Sequence, residues 1–380
     1  MRYLTSGESH GASLNAIIEG YPANVKIDEN FINDQLANRQ KGYGRGGRMK
    51  IETDKVKILS GVRFGLTTGA PICIEIENKD HQNWLLTMNT KAQDEQTMKE
   101  KKITALRPGH ADFAGASKYN QKDIRNILER SSARETATRV AVGAFSKILL
   151  KEFGIEIISH VVQIGDIKAK KMTDFNEICT KKANSELNCA DFEAEQKMKQ
   201  LIDKTRTEGN SLGGKIEIIA KNIPVGLGSY VHWDRKLDGL LAQAIMSIPA
   251  VKSVEIGEGI KCAELLGSKM HDAIFEGITR KTNHAGGIEG GMSNGEDILI
   301  SACMKAIPTM TNPLPSVDFE TKKEHLAHVE RADVCAVSAC GVVAEAMVAN
   351  VLANAILEKF GGDSIEELKS NYNNYLEMLS

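Results

Sequence analysis

Two histidines stand in settings that suit proton transfer. His10 lies in Gly7-Glu8-Ser9-His10-Gly11, and its flanking glycines let backbone and ligand approach closely, which fits an exposed acid/base better than a core imidazole. The same five residues match G-x-S-x-G, the nucleophile elbow of serine hydrolases. That elbow needs a sheet strand ahead of it, and only six residues precede Gly7. His110 lies in the turn Arg107-Pro108-Gly109-His110-Ala111-Asp112. This turn opens a stretch, 107–139, that closes on Arg130-Ser131-Ser132-Ala133-Arg134-Glu135-Thr136, where two arginines bracket two hydroxyls ahead of an apolar helical pattern. Backbone N–H groups at such a helix start point outward and take anions well. The reading is an anion-handling site with a histidine acid/base. The competing one is an ordinary capped helix on a solvated basic face.

A second cationic segment precedes it. Residues 39–50 hold five basic residues, four glycines and no acid. Arginine forks match carboxylate and phosphate, and glycines permit closure, so the segment reads as a lid over a multiply anionic small molecule. A glycine/arginine RNA-binding patch is the alternative; it is isolated, without repeats, and the net charge of −2 argues against a general polyanion binder. Residues 282–295 carry five glycines in fourteen positions. They read either as a close backbone approach to a flat or phosphorylated ligand or as a surface loop. Lys305 and Thr309 flank the turn Ala306-Ile307-Pro308, and lysine is a point-charge phosphate partner. Arg331 and Asp333 enter the last long apolar pattern, as a surface ion pair or as functional groups. His325 and His328 are spaced i, i+3 and read as a solvated helix face, with no third metal ligand evident nearby.

The elements that must position these residues follow from patterning. A helix capped by Asp28 is expected over 29–37, strands over 56–60, 70–78, 155–164, 213–220, 251–256 and 297–303, and helices after Asp94, over 136–149 and over 234–247. Residues 173–207 read as a charged, helical surface excursion. The apolar stretch 334–360 is interrupted by Glu345, Asn350, Asn354 and Glu358, so it is expected to be a buried core helix rather than a membrane span. Gly11 to Pro22 and Gly213 to Pro224 share a strand–Pro/Gly loop–helix order, hinting at an internal duplication. Seven scattered cysteines without C-x-x-C give neither a zinc nor a disulfide framework, and the N-terminus lacks a signal-peptide pattern. A cytoplasmic protein with reduced thiols is expected.

Taken together, ten ordered blocks resemble the chorismate synthase family: GESHG at 7–11, RQKGYGRGGRM at 39–49, SGVRFGLTTGAPI at 60–72, RPGHAD at 107–112, RSSARETA at 130–137, GLGSYVHWDRKLD at 226–238, MSIPAVKSVEIG at 246–257, TNHAGGIEGGMSNG at 282–295, MKAIPT at 304–309 and ERAD at 330–333. The resemblance implies one α+β domain over 1–380, a β-α-β sandwich with helices between antiparallel sheets and an internal pseudo-repeat, assembled as a homotetramer. It implies a 1,4-elimination of phosphate from 5-enolpyruvylshikimate 3-phosphate to give chorismate, dependent on reduced FMN, with no nucleic acid or membrane partner and no metal. No G-x-G-x-x-G fingerprint for NADP or its relatives follows a clear strand, so an external flavin reductant is expected.

By the same resemblance, Arg39, Arg45, Arg48, Arg107 and Arg134 match substrate-binding arginines. His10 matches the group that protonates the departing phosphate, with Ser9 beside it. His110 matches the histidine beside the flavin, and Asp333 the acid that assists flavin N5. Arg130, Ser131, Ser132, Pro249, Ala250, Gly290, Lys305, Ala306, Ile307, Pro308, Thr309 and Arg331 match flavin-binding positions. Three departures bear on the flavin. Pro249 stands where asparagine is usual, Ala306 replaces a proline, and Val334-Cys335 stand where a proline-containing stretch is common.

Overall fold

The computed structural model describes residues 1–47, 53–330 and 332–379; Arg48 and Arg331 lie outside them. Two antiparallel sheets enclose a layer of helices. The first contains β1 (Arg2–Ser6), β2 (Ser13–Glu19), β3 (Val56–Ile58) and β4 (Ile72–Glu77), in the order β1-β2-β4-β3. The second contains β5 (Glu156–Ile164), β6 (Ile167–Lys168), β7 (Gly214–Lys221), β8 (Val251–Ile256) and β9 (Ile298–Met304), in the order β8-β9-β7-β5-β6. Alternating burial along β2 and β4 turns Leu14, Ala16, Ile18, Ile72, Ile74 and Ile76 inward, as a sheet with one covered face requires.

The hinted duplication is present in the topology. β1-β2-β4-β3 and β5-β7-β9-β8 have the same connectivity, with α1 (Glu29–Gln40) and the later helix Leu237–Met246 in equivalent crossovers. A small hairpin precedes the third strand of each order, Val62–Arg63 with Leu66–Thr67 and Ile288–Glu289 with Met292–Ser293. Each hairpin contributes one hydroxyl to the Pro loop. Thr67 Oγ1 donates to the Pro22 carbonyl at 2.6 Å and accepts from Val25 N at 2.9 Å. Ser293 Oγ donates to the Pro224 carbonyl at 2.6 Å and accepts from Leu227 N at 2.8 Å.

Between the sheets lie α1 and two long helices, α4 (Thr136–Lys151) and α6 (Val337–Phe360), with the short α2 (Asp112–Tyr119) and α3 (Arg125–Ser131) beside them; α5 (Leu237–Met246) packs on β8 and α6. Asp28 caps α1 by accepting from Asn30 N and Phe31 N. α6 has the length and composition of a membrane span but is buried in the core. α4 and α6 cross closely because Gly143 has no Cβ: one built there would sit 2.3 Å from Ala346 Cβ. The crossing also buries Glu345, which accepts from Ser159 N and Oγ and pairs with Lys147 at 2.5 Å. Burial opposes its ionised form, but the charges of Lys147 and Lys182 and these hydrogen bonds hold its carboxyl below the ordinary glutamate range.

Three expectations change. The 173–207 excursion is helical (Phe175–Lys182 and Phe192–Thr207), yet Met198 and Ile202 are fully buried in the main core. The 234–247 segment breaks into a 3₁₀ turn, Trp233–Arg235, and α5. His325 lies on a strand, Glu324–Leu326, not on a helix; it is exposed there, and His328 pairs with Glu330 at 3.3 Å. A C-terminal helix, Ile365–Leu379, buries Ile365 and Leu368, and its polar remainder gave little signal.

Candidate active site

A cleft of about 480 Å³ opens where the β1–β2 turn, the 39–47 loop, the 107–136 stretch and the segment after β9 meet. It is lined by Ser9, His10, Arg39, Arg45, Arg107, His110, Ser131, Ser132, Arg134, Pro249, Ala250, Lys305, Ile307, Pro308, Thr309 and Asp333. Segments as distant in the chain as those of Ser9 and Asp333 thus converge on one concavity.

The turn that carries His10 is held from several sides. Gly7 adopts φ +102°, and a Cβ there would meet the Ser13 carbonyl at 2.3 Å. Asn78, at the end of β4, donates to the carbonyls of Glu8 and Gly11. Glu129 on α3 receives the backbone N–H of His10 at 2.8 Å and contacts its Nδ1 at 2.9 and 3.1 Å. The imidazole stacks on Trp84 with ring centres 3.9 Å apart.

His110 has a parallel arrangement with a different partner. Asp112 is fully buried; His110 Nδ1 lies 2.6 Å from it, and Arg107 grips both carboxylate oxygens through Nε and Nη2 at 2.9 Å. Burial works against the ionised carboxyl, but the hydrogen bonds from His110 and Arg107 and the charge of Arg107 outweigh it, and Asp112 is held well below the usual carboxylate range. Arg107 Nη1 reaches Thr309 Oγ1 at 3.4 Å, joining this turn to the segment after β9.

The remaining arginines form a second cluster. Asp54 lies between Arg134, at 2.6 Å, and Arg39, at 3.4 Å. Arg39 also donates to Thr136 Oγ1 and to the Ala133 carbonyl; burial pushes its guanidinium down to about 10, still cationic at neutral pH. Asp333 holds the arginine loop, accepting from Arg45 Nε at 2.9 Å and from Gly46 N at 2.6 Å.

Some predicted positions are elsewhere. Arg130 does not line the cleft; its guanidinium donates to the carbonyls of Thr5 and Gly7 and to Thr5 Oγ1, bracing the base of the His10 turn. Gly290 is exposed in the 288–293 hairpin and Ala306 points to solvent, neither on the cleft wall. Conversely, Asp54, Asn78, Trp84, Asp112 and Glu129 hold the site residues in place without being among the positions expected from sequence. Only Asp112 carried a signal, as the acid in the RPGHAD turn. A larger cavity of about 870 Å³ beside Lys147 and Glu345 contains none of the predicted site residues among those described.

A family model described as chorismate synthase matches residues 1–357. The chain belongs to the chorismate synthase family. Among similar proteins, the chorismate synthase of Geobacter sulfurreducens is 55% identical, covering 99% of this chain and 98% of the relative. That of Brevibacillus brevis is 53% identical, with coverage of 99% and 98%. A crystal structure of a chorismate synthase superposes with a TM-score of 0.79 at 42% identity, covering 99% of this chain and 97% of the other. As a chorismate synthase by family, the chain is an enzyme, a carbon–oxygen lyase acting on a phosphate. The α+β sandwich with its internal repeat is the architecture that the family resemblance implied.

Proposed function

We propose that this cleft is where phosphate is eliminated, in a 1,4 sense, from 5-enolpyruvylshikimate 3-phosphate to give chorismate. The observation that carries the reading is the convergence of two histidines and four described arginines on one concavity. The substrate bears two carboxylates and a phosphate. Arg39, Arg45, Arg107 and Arg134 supply the matching charge, preorganised by Asp54, Asp112 and Asp333 rather than by solvent.

The cofactor reading is reduced FMN. The cleft falls in the size range of small-molecule sites, roughly 300–1,000 Å³. Its wall combines the Lys305 ammonium and the Ser131 and Ser132 hydroxyls with an apolar strip of Pro249, Ala250, Ile307 and Pro308. Ala250 holds φ +69°, a strained conformation for a residue with a Cβ and one that collects at ligand sites. These residues fit a flat, anionic ring system, with Pro249 offering apolar surface where asparagine is usual. When bound, reduced FMN supplies electron density to the breaking C–O bond and a basic nitrogen near the ring C–H. His10 delivers a proton to the departing phosphate oxygen, because a leaving phosphate departs more readily once its developing charge is neutralised. His110, anchored by Asp112, holds or supplies a proton on the flavin side. Asp333 keeps the 39–47 loop over the cleft, which excludes water.

Cytoplasmic residence, a homotetramer and an external flavin reductant belong to the same reading; the first rests on the scattered cysteines, the second on the family resemblance, and the third on the lack of a G-x-G-x-x-G fingerprint after a clear strand. Anaerobic assay with 5-enolpyruvylshikimate 3-phosphate and chemically reduced FMN tests the core of it. Phosphate release matched by chorismate absorbance is expected; a folded protein that binds FMN yet shows no turnover sinks it. NADPH with oxidised FMN alone should give no product.

A further inference from the structure

We propose that Glu129 is a positioning residue that fixes the tautomer of His10 and so directs its Nε2 toward the departing group. The proposal rests on the reading of His10 as the proton donor. Glu129 lies on α3 two residues before the Ser131-Ser132 pair, at the cleft wall beside His10, with its side chain 2% exposed.

A buried carboxylate persists only where hydrogen bonds and countercharge compensate its desolvation. Here the partners are specific. One oxygen receives His10 N at 2.8 Å, both oxygens lie within 3.1 Å of His10 Nδ1, and Arg125 Nη1 donates at 3.1 Å. The Glu129 carbonyl receives Ser9 N at 3.1 Å. One residue therefore sets the backbone of the turn and one nitrogen of the ring. Trp84 fixes the ring plane, and the Arg125 guanidinium lies 5.1 Å from the Trp84 ring centre. An ionised carboxylate only accepts hydrogen bonds, so Nδ1 must carry a proton in either charge state of the imidazole. When Nε2 transfers its proton to the phosphate oxygen, the imidazolium becomes the neutral Nδ1–H form, which Glu129 already holds. The proton leaves, and the ring need neither turn nor change tautomer. A buried acid that orients a catalytic imidazole in this way is a general device, whose loss through a wrong tautomer costs about 10⁴-fold in serine proteases.

Nitrogen-15 NMR of uniformly labelled enzyme, with His10 assigned by its loss in His10→Gln, reads the tautomer directly. At the alkaline end of its titration the neutral ring should be protonated at Nδ1; a neutral Nε2–H ring overturns the proposal without any variant of Glu129. In Glu129→Gln the amide can donate as well as accept, so the two tautomers should mix. With reduced FMN present, kcat should then fall about 100-fold while KM for 5-enolpyruvylshikimate 3-phosphate stays within about threefold. An unchanged kcat in a folded Glu129→Gln enzyme, or an unchanged Nδ1–H signature in it, counts against the role. A fully active His10→Ala enzyme sinks the acid reading of His10 instead, and leaves the tautomer result standing.

Discussion

Asp54 Oδ1 lies 2.6 Å from Nη1 of Arg134, and the other oxygen of the same carboxylate lies 3.4 Å from Nη1 of Arg39. One buried acid thus spaces two buried cations that face the same cleft. Asp54→Asn leaves both guanidinium groups without that countercharge. Breaking a buried pair of this kind costs about 3–5 kcal/mol, to be read as a fall in the urea midpoint. KM for the substrate, with its two carboxylates and phosphate, should also rise, as the arginines lose their set spacing. A variant with parental stability and KM would show that the spacing is unnecessary.

Asp112 gives a pH test. Its carboxyl is held below the unfolded value, so its contribution to stability is present above about pH 4 and is lost as pH falls toward the lowered folded value. Asp112→Asn should be clearly less stable than the parent at neutral pH, with the gap narrowing below about pH 4. Parallel unfolding curves at both pH values would contradict the assignment.

His10→Ala and His110→Ala should each lose roughly 10²–10⁴ in rate, the usual size of an acid/base contribution, in protein that is still folded. Single-turnover phosphate release under anaerobic conditions separates this from a change in product release.

Arg130→Ala should act through the His10 turn, since its guanidinium holds the Thr5 and Gly7 carbonyls. We expect FMN affinity within about threefold of the parent and a fall in kcat. A large loss of FMN affinity with kcat intact at saturating FMN would return Arg130 to the cofactor.

Gly143→Ala drives a methyl group into Ala346 at the α4–α6 crossing. Overpacking of this kind costs about 1–3 kcal/mol, and thermal unfolding should show it with no change in KM.

The site was legible where chemistry and spacing coincide in one short segment. GESHG, RPGHAD and RSSARETA each put charged groups and either an imidazole or hydroxyls into one short segment, and the structure brings all three to one cleft. The partners that tune them were not legible, because they pair across the fold. Asp54 is 80 positions from Arg134, and Glu129 is 119 from His10. Glu129 and Arg130 also illustrate the limit of reading a motif as a block. Successive helical residues point about 100° apart, so one supports the imidazole while its neighbour braces the strand turn. The main helices and strands followed from apolar periodicity. The breaks, as at the 3₁₀ turn Trp233–Arg235, and the placement of His325 on a strand are set by tertiary packing that local patterns do not encode.

The matched halves of the fold have a consequence for the number of sites. In the first half, β1 and β2 are joined by the tight turn that carries His10. The equivalent connection in the second half, from β5 to β7, is filled by the helices Phe175–Lys182 and Phe192–Thr207. Tyr43 of the arginine loop donates to Asp203 on the second of these helices at 2.7 Å. A duplicated connectivity could have carried such a turn twice; here one copy of the connection is the turn of the proposed acid, and the other braces the 39–47 loop at the cleft through Asp203.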